Sequence, residues 1–217
     1  MSDNAAMLRR LPVFRSAPPP FDPASAPAVP VELFGQWLRH AVDAGVPEPH
    51  AATLATVDGT GRPSARVLLL KDFAGDGWHF SSTSAGRKGA ELTGNPGAAL
   101  TFHWPTQARQ IRIRGTVHRA SAELSARDFR ARSASARAET LVGRQGQVLT
   151  DRSAVEPAVA EAAQRLAADP TLVAAHWTRY VLDADEVEFW QADPGRRHLR
   201  LRYRRIGRHW VNEELWP

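Results

Sequence analysis

The 217-residue chain reads as an α+β protein, a closed barrel or sandwich of mostly antiparallel strands with helices grouped between them. Three observations lead there. From Ala51 onward, short apolar stretches alternate with dense turn chemistry, beginning with Asp58-Gly59-Thr60-Gly61-Arg62-Pro63. The stretch from Arg109 to Arg119 alternates cleanly, with Ile111, Ile113 and Val117 on one face and Gln110, Arg112, Arg114 and His118 on the other. Helical periodicity is confined to blocks set between such stretches, and no internal repeat is present.

Residues 1–29 form a proline-rich arm, marked by Pro18-Pro19-Pro20, Pro23 and Pro27. Such a segment builds no core and is either disordered or laid over a surface. Residues 30–217 are the domain. Phe34, Trp37, Leu38, Ala41 and Val42 fall at helical spacing, with Gly45 as the stop. Strands are expected over Ala52–Val57, Ser64–Lys71 and Trp78–Ser82. Ser84 is placed to cap a helix through Leu92, closed by Gly94-Asn95-Pro96. Strands Ala98–Trp104 and Arg109–Arg119 follow, then helices Ser121–Arg132, Ala136–Val142 and Glu156–Ala168. Trp177–Leu182, Glu186–Gln191, His198–Arg204 and His209–Glu213 finish as four strands.

Composition narrows the function. With no cysteine, disulfides, Cys-ligated zinc and iron–sulfur clusters are excluded, and the eight histidines are isolated, so no metal site is expected. Neither a signal peptide nor an apolar run of membrane-spanning length is visible, so a cytoplasmic location is expected, without membrane association. The net charge of +5 is spread among acids from end to end, which argues against nucleic acid as a partner. No dinucleotide fingerprint, phosphate-binding GxxxxGK loop, HExxH or nucleophile elbow occurs, so redox or transfer chemistry here leans on a cofactor. Among 28 basic residues only Lys71 and Lys88 are lysine, which suggests places where a compact ammonium is wanted instead of a planar fork.

Four places suit an anion. Arg66-Val67-Leu68-Leu69-Leu70-Lys71 reads as a strand buried on both faces with a cation at each end. Those cations meet solvent, an internal carboxylate or a ligand phosphate. Ser81-Ser82 followed by Arg87-Lys88 at a helix start makes either a phosphate cradle or a solvated helix face. Gln110 lies on the polar face of its strand. Arg196, His198 and Arg200 share one face if that stretch is extended, over roughly 13 Å.

Taken in order, these segments resemble the pyridoxamine 5′-phosphate oxidase family of FMN-binding split-barrel flavoproteins, from about Val31 to Pro217. The matching pieces are Ala55-Thr56-Val57-Asp58 with Gly61-Arg62-Pro63, Arg66 to Lys71, Phe80-Ser81-Ser82, Gly86-Arg87-Lys88 and Asn95-Pro96. Arg109-Gln110, Arg144-Gln145, Val187-Glu188-Phe189-Trp190 and Arg196-x-His198-x-Arg200 complete the set. The resemblance implies an FMN-binding split β-barrel and a homodimer with FMN at the subunit interface. It implies FMN contacts from Arg66, Val67, Leu68, Leu69, Leu70, Lys71, Ser81, Ser82, Arg87, Lys88 and Gln110. Gln145, Trp190 and Arg200 join them, some from the partner subunit. It gives Lys71, Arg132, Arg196 and His198 to the small-molecule substrate, with Arg196 and His198 at its reacting side. The implied reaction oxidises pyridoxine or pyridoxamine 5′-phosphate to pyridoxal 5′-phosphate, with O2 as acceptor giving H2O2.

The chain also departs from the vitamin B6 pattern. Registered on Arg132 and Arg144-Gln145, Asp128 stands where those enzymes resemble one another in a phosphate-binding tyrosine, and Ala136 where they have a serine; a one-residue gap brings Ser133 or Ser135 close instead. A carboxylate beside a phosphate is repulsive and alanine removes a donor, so weak affinity for pyridoxine phosphate is expected. The alternative is oxidation of a reduced aromatic metabolite, as in the related phenazine-biosynthesis oxidases, which Ala44 to Pro49 and Arg87 to Leu92 also resemble. A further alternative is a split-barrel protein that binds flavin, deazaflavin or haem without turnover.

Overall fold

A computed structural model describes residues 3–13 and 17–217. Its strands are β1 (Ala51–Val57), β2 (Pro63–Ala74), β3 (Gly77–Thr83), β4 (Gly97–Trp104) and β5 (Arg109–Arg119), then β6 (Trp177–Gln191), β7 (Leu199–Ile206) and β8 (His209–Glu214). They hydrogen-bond in the order β3-β2-β1-β4-β5-β6-β7-β8, and β3 also pairs with β6. That extra pairing closes six strands into an antiparallel barrel, with β7 and β8 continuing beyond β6. The helices are α1 (Asp3–Arg9), α2 (Pro30–Asp43), α3 (Arg87–Gly94), α4 (Ala122–Arg130), α5 (Ala134–Leu141) and α6 (Val155–Ala168). Among the described residues, no helix is long and apolar enough to cross a membrane.

The chain divides into two compact units. The first comprises residues 1–52, 101–113 and 185–217. Its core is aromatic: Trp37 meets Phe189 edge-on at 5.2 Å, Phe34 meets Phe102 at 5.0 Å, and Phe189 meets Tyr203 at 5.8 Å. The arm contributes to it. Phe21 packs edge-on against Trp37, and the Tyr203 hydroxyl donates to the Pro27 carbonyl at 2.8 Å. This part of the arm lies against the unit's core, whereas Asp3–Arg9 forms an exposed helix that its composition did not suggest. Residues 1–2 and 14–16 of the arm lie outside the described residues.

The second unit comprises residues 53–100 and 114–184. Phe80 stacks on Tyr180, Phe129 meets Trp177, and Leu54, Leu100, Leu182 and Leu166 are buried in the same unit. Three expectations are corrected here. In β2, Ser64, Arg66 and Leu68 are half-buried and Leu70 is buried, but Val67 is 68% and Leu69 39% exposed. The sheet covers only one face of that apolar strand, so it is not buried on both sides. The helix after Ser82 is capped by the Gly86 backbone, while the Ser84 hydroxyl donates to the His176 carbonyl. Finally, the strands expected over Trp177–Leu182 and Glu186–Gln191 are one, because β6 runs unbroken through Asp183-Ala184-Asp185. Gly115 explains why, because a Cβ there would lie 2.0 Å from the Asp183 carbonyl oxygen, so only glycine lets the backbones approach.

Candidate active site

The second unit holds a cluster built around one buried carboxylate. Glu91 of α3 is 5% exposed and accepts hydrogen bonds from the Thr56 and Ser64 hydroxyls, from Arg66 Nη2 at 3.0 Å and from Arg87 Nε at 2.8 Å. Arg66 also donates to the hydroxyls of Thr56 and Ser64, so its guanidinium is fixed by three neighbours. Burial alone would push the Glu91 carboxyl up, but the hydrogen bonds from Thr56, Ser64, Arg87 and Arg66 hold it at about 2. One turn earlier, Lys88 Nζ donates to the buried Ser82 hydroxyl at 2.8 Å. Burial and the Arg66 charge push Lys88 down against the weaker pull of Glu91.

The charge balance of this cradle decides what fits it. Arg66, Arg87 and Lys88 face a single carboxylate, which leaves a surplus of two positive charges at the N-terminus of α3. A phosphate monoester carries between one and a half and two negative charges at neutral pH, and a helix N-terminus favours it further. Gly89 keeps the turn tight, since a Cβ there would lie 2.3 Å from the Ser84 carbonyl oxygen. Ser81 points the other way along β3, and its hydroxyl is buried without a hydrogen-bond partner among the described residues. The cradle fits a phosphate group.

Lys71 is exposed and sits at a β-bulge: Leu70 pairs with Phe80 while Asp72 pairs with His79, so Lys71 is the extra residue. Bulges re-aim side chains, which sets this ammonium apart from the Arg66 end of the strand. Arg132 is half-buried between α4 and α5. Its guanidinium lies 4.1 Å from the centre of the Trp177 ring, and Nη1 donates to the Thr140 hydroxyl at 2.6 Å. Burial pushes Arg132 down, opposed by the Asp128 and Glu139 carboxylates. Asp128 itself accepts the Trp177 indole N–H at 2.8 Å. Ser133 caps α5. Gln145 donates its amide to the carbonyls of Glu139 and Thr140, closing the C-terminal end of the same helix.

The first unit holds a second carboxylate-centred cluster. Glu188 is 4% exposed and accepts from Arg200 Nε at 2.9 Å and from Arg112 Nη2. Burial would raise its carboxyl, and hydrogen bonds from Arg200 and Arg112 bring it below the usual range. Trp190 pairs with Arg200 across β6 and β7, and its ring lies 4.9 Å from that of His198. The Asp193 N–H donates to His198 Nδ1, so a neutral imidazole carries its proton on Nε2. Arg196 lies outside the strand, in a turn closed onto the Asp193 carbonyl, with a left-handed φ of 62°. The extended reading of Arg196, His198 and Arg200 on one face is therefore corrected: the strand begins at Leu199. Gln110 is half-buried on β5 beside Arg109, which is buried, bonded to Gln191 and stacked 4.0 Å over Trp37.

Residues 38–166 match the family model described as pyridoxamine 5′-phosphate oxidase, and residues 177–217 match the pyridoxine 5′-phosphate oxidase C-terminal dimerisation region. The chain belongs to the pyridoxamine 5′-phosphate oxidase family. It is 42% identical over 193 residues to the pyridoxine/pyridoxamine 5′-phosphate oxidase of Bordetella avium, covering 88% of this chain and 91% of that one. The protein of that name from Azotobacter vinelandii is 41% identical over 196 residues, 89% and 91% of the two chains. Among solved structures, PhzG from Burkholderia lata 383, in complex with tetrahydrophenazine-1-carboxylic acid, superposes with a TM-score of 0.87 at 31% identity, over 93% of this chain and all of that one. An FMN binding protein from Nostoc punctiforme, at 20% identity and a TM-score of 0.72, shares the fold over 88% of this chain and all of its own.

Glu91 and Glu188, the carboxylates that hold the expected cofactor arginines, stand outside the site residues that the sequence predicts. Glu91 was open to detection, because it stands four residues after Arg87 on a helix. Glu188 pairs across strands, which spacing along the chain does not reveal.

Proposed function

We propose that this protein is an FMN-dependent oxidase that converts pyridoxine or pyridoxamine 5′-phosphate to pyridoxal 5′-phosphate. The alcohol loses two electrons and two protons to O2, which becomes H2O2; the amine additionally takes up water and releases ammonia. The observation that carries the reading is the cradle of Arg66, Arg87 and Lys88 around Glu91, with its surplus of two positive charges. The naming of relatives near 40% identity over most of their length supports it.

In this reading Arg66, Ser82, Arg87 and Lys88 hold the FMN phosphate and its chain, with the Val67–Lys71 run and Ser81 alongside. Gln110, Gln145, Trp190 and Arg200 take the roles that the family resemblance gives them toward the flavin. Bound FMN supplies the two-electron acceptor. Lys71 and Arg132 meet the substrate phosphate, while Arg196 and His198 orient the reacting carbon; His198 has its Nε2 proton fixed by the Asp193 contact at Nδ1. The protein contributes orientation and charge placement.

We propose a homodimer as well. The exposed apolar strip of Val67 and Leu69 and the matched dimerisation region support it. A second reading, oxidation of a reduced aromatic metabolite such as a dihydrophenazine, is supported by the likeness to PhzG and by Ala136, which offers no hydroxyl to a phosphate.

The test is to titrate purified protein with FMN and then follow peroxide release with pyridoxine 5′-phosphate, pyridoxamine 5′-phosphate and a dihydrophenazine. Peroxide from the phosphorylated substrates is expected. No flavin uptake would overturn both readings, and turnover of the dihydrophenazine alone would replace the first by the second.

A further inference from the structure

The sequence sets Asp128 against a substrate phosphate, but its surroundings give the carboxylate a different task. Its side chain is only 7% exposed. One oxygen accepts the Trp177 indole N–H at 2.8 Å, and the other lies 3.9 Å from Arg179 Nη1. Arg179 is itself anchored, donating to Asp72 at 3.0 Å and to His79 Nδ1 at 3.3 Å. The Asp128 charge is thus faced by a cation and a polar N–H inside the protein.

On the face of the same indole sits Arg132, 4.1 Å from the ring centre, its Nη1 tied to Thr140. The three groups are stacked in sequence: carboxylate at the ring edge, ring between, guanidinium on the face. A carboxylate that accepts the indole N–H pushes electron density into the ring, which strengthens the attraction of its face for a cation. Arg132 has five N–H donors, and Thr140 takes one. Trp177 and Thr140, its two holders, both line a cavity of about 290 Å³ together with Gln145 and His176.

We propose that Asp128 and Trp177 are positioning residues that hold Arg132 for the substrate's anionic group, so that Asp128 promotes phosphate binding. The inference rests on the reading of Arg132 as a substrate-phosphate contact. It replaces the direct hydroxyls expected at positions 128 and 136 by an indirect arrangement, in which one well-held arginine does the work of several donors.

The opposite model, in which the carboxylate repels the phosphate, predicts the opposite sign, and this makes the test sharp. The FMN-loaded protein is titrated calorimetrically with pyridoxal 5′-phosphate and with pyridoxal, which differ only in the phosphate. Asp128→Ala should weaken the phosphorylated ligand by about tenfold, the scale of a desolvated cation–π contact, and change pyridoxal little. In turnover the loss should appear in KM rather than kcat. Asp128→Asn keeps an acceptor for the indole N–H and should restore most of the affinity. Trp177→Phe keeps a ring face but no N–H and should fall between. If Asp128→Ala leaves the ratio of the two affinities unchanged, or if both Asp128 variants bind the phosphorylated ligand more tightly, the inference is wrong while the reading of Arg132 stands. If the unaltered protein does not favour the phosphorylated ligand at all, that reading falls and takes the inference with it.

Discussion

Glu91 Oε2 lies 3.0 Å from Arg66 Nη2, with the carboxylate side chain 3% exposed and the guanidinium 22%. The cation at the start of the β2 apolar run therefore has an internal partner before any ligand arrives. Replacing Glu91 by alanine would leave Arg66 half-buried without its carboxylate. The expected loss of folding stability is about 3 kcal/mol, on the scale of breaking a buried pair from one side. Urea denaturation measures it, and a loss below about 1 kcal/mol would place the pair with ordinary surface bridges.

The same carboxylate sets an acid limit. Its pKa is lowered from 4.5 to about 2 by its hydrogen bonds, so its contribution is fully present above the unfolded value and fades as pH falls from 4.5 toward 2. Stability measured between those pH values should drop more steeply in the unaltered protein than in Glu91→Gln. Equal slopes would show that Glu91 is not the titrating group.

Lys88 is expected to meet the FMN phosphate from beside Ser82. Lys88→Ala should weaken FMN by about tenfold or more, as a lost charged hydrogen bond does, and Ser82→Ala by less. Quenching of flavin fluorescence reports the affinity. Added salt should weaken binding in the unaltered protein more than in Lys88→Ala.

Val67→Asp tests the uncovered face of β2. A charge at a position 68% exposed in the single chain costs little unless a second chain covers it. Light scattering should then find monomer where the unaltered protein gives the proposed dimer, with a matching loss of FMN affinity. A variant that stays dimeric would remove this strip from the interface.

Gly115→Ala is expected to destabilise by about 2 kcal/mol, within the usual range for overpacking, because its Cβ would meet the Asp183 carbonyl oxygen at 2.0 Å. Thermal unfolding checks it. An unchanged Tm would mean that β6 can shift away without cost.

Much of the barrel was legible because its strands and turns follow local rules. The alternation from Arg109 to Arg119 gives β5 to the residue, and Gly45, with a φ of +68°, ends α2 where the spacing stops. The errors arise where distant backbone decides. Asp183-Ala184-Asp185 looks like a gap between two strands until Gly115 packs on it. Val67 and Leu69 look buried because apolar runs usually are, yet only the Arg66 face is covered. The cradle's cations were visible as residue types at sensible spacing, and so was the Arg87–Glu91 pair, whereas the reach of Glu91 to Arg66 and the stacking of Arg132 on Trp177 join residues 25 and 45 positions apart.

The pairing of β3 with β6 has a bearing on how the protein is made. Ser82 lies opposite Thr178 in that ladder, nearly a hundred residues later in the chain. Contacts of such sequence separation carry a large loop-closure cost and form late. During synthesis the strand bearing Ser82 leaves the ribosome long before its neighbour exists, so filling of the phosphate cradle is expected to follow completion of β6, not to accompany synthesis of β3.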